Sequence, residues 1–274
     1  MISEFNYLRK NYPSFSFNHI PGKANKNHTL IAIEAANIKP DNYDIDIINK
    51  HKAYVTWNRK FVELNKDKIK VPIHIINGFP LLDYNHDINT WCTHYEDKTN
   101  GVCLIARIRN GKGVGDITNK RTEAMTKIDY PHKAVYGKNA WGGDMYKGVI
   151  GENVEDTWPS SIAKLSILSS YKFSVCFENC YDPIWSQDYI TEKIFDCFKA
   201  KTVPIYYGCY NIEEHIPLNC FIDFRDFEDY NDLSEYLKIF SKDKYCRMVE
   251  DAYIFQKNCS LGNVDDFSDV LKNV

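Results

Sequence analysis

The sequence predicts an α/β protein built on parallel sheets, and three observations carry that prediction. Short apolar runs alternate with stretches of helical spacing along most of the chain, the pattern of βαβ units. The runs are apolar almost throughout rather than at every second residue, as in strands covered on both faces. Polar or turn residues close each run, which puts reactive side chains at the carboxyl ends of strands, where open α/β sheets bind ligands.

Taken in order, TLIAIEAAN (29–37), KAYVTW (52–57) and KVPIHII (70–76) read as buried strands;. FPLLDYNHDINTWCTHYEDKTN (79–100) is polar and turn-rich and is the linker candidate;. GVCLIARI (101–108) is the next strand, RTEAMTKI (121–128) a helix and HKAVYGK (132–138) a strand. A loop rich in Gly and Trp leads to a helix near 160–170. Then come strand KFSVCFEN (172–179), helix ITEKIFDCFKA (190–200), strand TVPIYYG (202–208) and the short strand CFIDFRD (220–226). DLSEYLKIFSK (232–242) and YCRMVEDAYIFQKN (245–258) close the chain with helical spacing;. The chain therefore divides into a small unit, 1–98, and a larger one, 99–274, that holds enough βαβ units for one Rossmann-like domain;.

Composition narrows the function. With 44% hydrophobic and 26% charged residues in 274, the chain is in the range of ordinary soluble domains;. A formal net charge of −3 excludes a broadly basic nucleic-acid-binding surface, so any bound anion needs a local cluster of cations;. Nine cysteines without a CxxC pair, several inside apolar runs, read as reduced and buried;. The N-terminus MISEFNYLRKNYPSF is neither a signal h-region nor an anchor, and no apolar run approaches the ~20 residues of a membrane span;. The expected location is the cytoplasm.

Three places carry candidate chemistry. In CFENCYDPIWSQDYITEK (176–193), Glu178 and Asn179 fall at a strand's carboxyl end. Thr191, Glu192 and Lys193 fall in the first turn of the following helix, where free N–H groups favour anions;. A cation at that turn is unfavourable unless something negative sits beside it, and a diphosphate would supply the charge; the plainer reading is a cap with Lys193 solvated. In RNGKGVGDITNKR, Gly111, Gly113 and Gly115 between a strand and a helix suit a phosphate-approaching turn or, equally, a surface turn, and Arg121 at the helix start can aim a guanidinium fork at the same group;. Glu34 at the end of an apolar strand suits a partly desolvated general base, or a merely exposed glutamate;. Metal chemistry is not expected: HExxH is absent, and the one Asp-x-Asp, Asp44-Ile45-Asp46, precedes the nucleotide-type units and suits a strand or helix face;.

YKFSVCFEN, DYITEK and AKTVPIYYG, in that order, resemble the signature of the α-1,3-fucosyltransferases, the family 10 glycosyltransferases. IEAAN resembles that family's G-E-N segment, and AVYGK its VYG strand. The resemblance covers about 100–225, and 29–76 more loosely. It implies a GT-B fold of two Rossmann-like domains facing a cleft, here with an acceptor-side N-terminal domain that is reduced or truncated, since 33 residues precede Glu34. It implies transfer of L-fucose from GDP-fucose, with inversion, to a glycan hydroxyl (α-1,3 to GlcNAc or Glc), with no metal and no cofactor beside the donor substrate. Carried across, Glu34 is the general base, and Arg121 and Lys193 neutralise the diphosphate. Asn179, Tyr189 and Glu192 are donor contacts, and Glu178, Thr191 and Gly137 further donor-site candidates. The loop after Asn179, with Asp182-Pro183-Ile184-Trp185, is longer than in many members. The alternatives are a GT-B transferase using another nucleotide sugar and an inactive relic that binds one.

Overall fold

Two all-parallel sheets organise the chain. The structure is a computed structural model describing residues 14–22, 24–77, 94–107, 113–138, 143–151, 161–259, 261 and 269–270. The first sheet runs β1 (Phe15–Phe17), β2 (Thr29–Ala32), β3 (Tyr54–Thr56) and β4 (Ile73–Ile75), adjacent in chain order. Helices α1 (Ile45–Ile48) and α2 (Arg59–Asn65) make two of its crossovers. Every residue of β2 and β3 is buried, so these short strands are apolar on both faces;.

The larger sheet contains β5 (Thr99–Ile105), β6 (His132–Tyr136), β7 (Tyr146–Gly148), β8 (Tyr171–Phe177), β9 (Val203–Tyr207) and β10 (Ile222–Asp223). Their spatial order is β10-β9-β8-β5-β6-β7. The chain thus builds outward from β5 to one edge, then returns to β5's other side with β8 and builds to the opposite edge. That reversal makes a crevice beyond the carboxyl ends of β5 and β8, the switch point at which such sheets bind ligands. Helices α3 (Lys120–Lys127), α4 (Ile162–Ser169), α5 (Glu192–Lys199), α6 (Tyr230–Lys238) and α7 (Lys242–Asn258) belong to this lobe. Ser161, Asp229 and Ser241 cap α4, α6 and α7 by accepting first-turn N–H bonds;.

The two lobes share a core. Cys180 and Tyr189, which follow β8, pack in the same cluster as Ile31, Trp57 and Phe61 of the first lobe, with Trp185 against it. Trp185 meets Tyr43 and Phe61 at ring distances of 5.6 and 5.5 Å, and Trp57 meets Tyr189 at 4.8 Å. Asn58 donates across to the carbonyl of Ile184 (3.1 Å), and Asn37 to that of Asn179 (2.8 Å). The long loop after Asn179 is therefore a strap joining the lobes.

Several elements differ from their sequence-based bounds. The strand expected over 29–37 stops at Ala32, because the Asn18 side chain takes the N–H groups of Ile33 and Glu34. Of the strand and the helix face that Asp44-Ile45-Asp46 suited, the helix is found: Asp44 caps α1, accepting from the N–H groups of Asp46 and Ile47. Among the described residues, no three His, Cys, Asp or Glu side chains gather as a metal site requires. Most of the linker candidate lies outside the described residues; Tyr95–Asp97 form a 3-10 turn and Thr99 already belongs to β5. All eight described cysteines are free, six of them buried. No helix among the described residues is long and apolar enough to cross a membrane.

Candidate active site

The first lobe contributes Glu34. Its N–H donates to Asn18 Oδ1 (3.0 Å) and its carbonyl accepts from the Tyr43 hydroxyl (3.1 Å), so the backbone is held on both sides. The neighbouring Ile33 carbonyl accepts from the Trp57 indole (2.8 Å). The half-buried side chain faces a cavity of about 290 Å³ between the lobes.

The opposite wall is the carboxyl end of the larger sheet. Ile105, Ala106 and Arg107 line the cavity at the end of β5, and Gly137 and Lys138 at the end of β6. Gly137 has φ +140°, and a Cβ there would lie 2.0 Å from the Ala106 carbonyl oxygen. Only glycine lets these two strand ends approach so closely. Arg121, on α3 and 4% exposed, donates from Nε and Nη2 to the Phe177 carbonyl (3.0 and 2.7 Å) and from Nη2 to Asn179 Oδ1 (2.9 Å). Its guanidinium thus fixes the end of β8 while still lining the cavity.

After β8 the polar cluster is tightly organised. Glu178 is fully buried, and its carboxylate accepts from the Thr191 N–H (2.9 Å), the Thr191 hydroxyl (2.8 Å) and Lys193 Nζ (2.9 Å). Thr191, at the N-cap of α5, spends its hydroxyl on Glu178 rather than on the helix. That leaves the first N–H groups of α5 without a side-chain cap, which suits an incoming anion. Asn179 Nδ2 donates to the Tyr189 hydroxyl (3.2 Å). Burial keeps that phenol protonated, its pKa well above the ordinary value, with the nearby Glu34 charge acting in the same sense.

Lys193 has its negative neighbours within the protein: Glu178 at 2.9 Å and Glu192 at 3.9 Å. Burial works to discharge the ammonium, but these two carboxylates win and its pKa rises. Arg121 is close enough to Lys193 to oppose that rise. For Glu192, burial again works against charge, while Lys193 and Lys164 hold its carboxyl down to about 2.

Of the residues expected from sequence, Glu34, Arg121, Gly137, Asn179, Tyr189, Thr191, Glu192 and Lys193 line this one cavity. Glu178 is not among its lining residues; it stands behind Thr191 and Lys193. The glycine turn is placed elsewhere. Gly111 lies outside the described residues, and Gly113 and Gly115 pack on Asn37 and on Cys180 and Asp182, at the junction of the lobes. Sequence reasoning missed Arg107, Lys138 and Lys164, which also line the cavity. The first two follow strand ends and were recoverable from the carboxyl-end rule. Lys164 was signalled only as the one charge in the apolar helix SIAKLSILSS. Five cations from separate elements, two facing carboxylates and an uncapped helix start can hold a diphosphate and place a base across from it.

Two facing parallel lobes with this cavity between them form the GT-B fold. A solved α1,3-fucosyltransferase with GDP shares the fold at a TM-score of 0.51 and 17% identity, over 86% of this chain and 68% of its own. An α-glucosyltransferase in complex with UDP does so at 0.63 and 9% identity, over 90% and 73%. Residues 144–250 match the model of the glycosyltransferase family 10 (fucosyltransferase) C-terminal domain. The α-(1,3)-fucosyltransferase FucT of Helicobacter pylori is 32% identical over 97 residues, 35% of this chain and 18% of the relative. The match thus spans under a fifth of that relative's length.

Proposed function

We propose that the protein is an inverting fucosyltransferase that moves L-fucose from GDP-fucose to a glycan hydroxyl, α-1,3 to GlcNAc or Glc, with no metal or further cofactor. The observation that carries this reading is that Glu34 from one lobe and Arg121 and Lys193 from the other line the same cavity. The Glu34 carboxylate takes the acceptor hydroxyl's proton as that oxygen bonds to the anomeric carbon. The bond from that carbon to the β-phosphate oxygen breaks, and its electron pair leaves with GDP. Arg121, Lys193 and the open N–H groups of α5 offset the charge that GDP gains. Base and leaving group then stand on opposite sides of the reacting carbon, as inversion requires. The H. pylori relative, an α-(1,3)-fucosyltransferase, and the solved α1,3-fucosyltransferase with GDP support the donor and the reaction class.

The test is turnover and donor binding with GDP-fucose, GDP-mannose and UDP-galactose over a panel of lactosamine, chitobiose-core and monosaccharide acceptors. Glu34→Gln is expected to lower kcat by ~10²–10⁴ and to leave GDP-fucose affinity unchanged. Lys193→Ala is expected to weaken that affinity. Persistent turnover in Glu34→Gln overturns the base, and a UDP-sugar preference overturns the donor.

A further inference from the structure

Three acidic and two basic side chains form an alternating row beneath the cavity. Asp196 Oδ2 lies 2.6 Å from Lys164 Nζ, which lies 3.6 Å from Glu192 Oε1. Glu192 Oε1 lies 3.9 Å from Lys193 Nζ, which lies 2.9 Å from Glu178 Oε2. Both ends are sealed, the Asp196 and Glu178 side chains being 1% and 0% exposed, whereas Lys164, Glu192 and Lys193 face the cavity. Asp196, Glu192 and Lys193 stand on α5 and Glu178 follows β8; Lys164 alone comes from α4. Its side chain is 8% exposed, so two acids have drawn a lysine out of water;.

The geometry points to Lys164 as a positioning residue of the donor site: it holds the Glu192 carboxylate toward α4, leaving Lys193 with more of its charge for the donor's diphosphate. This rests on the donor reading above. Glu192 has two ammonium neighbours, and the one on α4 is the nearer. Without it, Glu192 is free to close on Lys193 and compete with the phosphates for the same ammonium. The other charges and polar groups around Glu192 are Lys193 and Asp196 on its own helix, Thr191 at its N-cap, Glu178 beyond Lys193, and Tyr189 and Arg121 across the cavity.

A purely structural Lys164 would serve only to neutralise buried Asp196, and removing both charges together would then leave the donor site as it was. Three variants separate the two roles: Asp196→Asn, Asp196→Asn with Lys164→Met, and Lys164→Arg. The double variant avoids leaving a buried carboxylate unpaired, so it folds where Lys164→Met alone would not. Carboxyl carbon NMR of Glu192 between pH 2 and 6 needs no donor, and calorimetry with GDP-fucose reads the site. Relative to Asp196→Asn, the double variant is expected to raise the Glu192 midpoint by about one unit or more and to weaken GDP-fucose binding roughly tenfold. Lys164→Arg keeps both within about twofold of wild type, because the charge and its reach survive. An unchanged Glu192 midpoint, or a shifted midpoint with unchanged donor affinity, overturns the proposal. A wild-type protein that binds no GDP-fucose while the midpoint still shifts overturns the donor reading and leaves the tie between Lys164 and Glu192 standing.

Discussion

Glu178 shows how one side chain organises a site that it does not line. Its buried carboxylate takes three donors, two from Thr191 and one from Lys193. That fixes where α5 begins and which way Lys193 points. Glu178→Gln preserves shape but turns an amide N–H₂ toward either Thr191 or the Lys193 ammonium, donor against donor. Breaking a buried pair by removing one partner costs about 3–5 kcal/mol, so the urea midpoint is expected to fall clearly and donor binding to weaken with it. A Gln variant as stable as the wild type would show that this carboxylate does not organise the turn. Gly137 is a second test at this scale. Gly137→Ala puts a methyl group against the Ala106 carbonyl at a position with φ +140°, and is expected to lower Tm by several degrees and to impair donor binding.

The strap is the element on which the cleft depends. Asp182 Oδ1 accepts from the N–H groups of Ile184 and Trp185, a turn that aims Trp185 at the first lobe's aromatic cluster;. Further on, Asp188 pairs with Arg59 of α2 at 3.4 Å and with His215 at 2.8 Å, tying the strap's end to both lobes. Trp185→Ala removes the central ring, at a cost of about 2 kcal/mol because the ring is only half-buried, against 3–5 for a fully buried aromatic. The first lobe is expected to unfold ahead of the second, splitting one urea transition into two; a single transition at an unchanged midpoint would exclude a joint core.

The same elements show what the sequence could disclose. β5, β8 and β9 were legible because each is an apolar run closed by polar residues, and the site residues at their ends came with them. β7, Tyr146–Gly148, has no apolar run, and β1 is a three-residue edge strand, so neither gave a signal. The end of β2 is set by Asn18, and the partner of Lys164 is 32 positions away at Asp196. Such long-range pairings leave no trace in local spacing.

Across the whole molecule, stability should respond to alkaline pH through the buried thiols. Burial lifts Cys103, Cys180 and Cys220 from an ordinary 9.0 to about 12, and lifts Cys176 and Cys209 as well. An unfolded chain ionises these groups near pH 9 while the folded one keeps the protons. Their contribution is therefore intact below pH 9 and lost as pH climbs toward 12, on the order of 1 kcal/mol per thiol at pH 10. Lys98 works the other way. Its ammonium donates to the carbonyls of Ser169 and Ala200, next to the ends of α4 and α5, and burial lowers its pKa from 10.5 to about 8. The folded state gives up that proton first, so this group adds stability between pH 8 and 10.5. Five thiols outweigh one amine, and the unfolding free energy from urea titrations is expected to fall from pH 8.5 to 10.5. Lys98→Met removes the opposing contribution and should make the fall steeper. A free energy that stays level or rises over that range would mean that water reaches the thiols, and that the core joining α5 to the larger sheet is not closed.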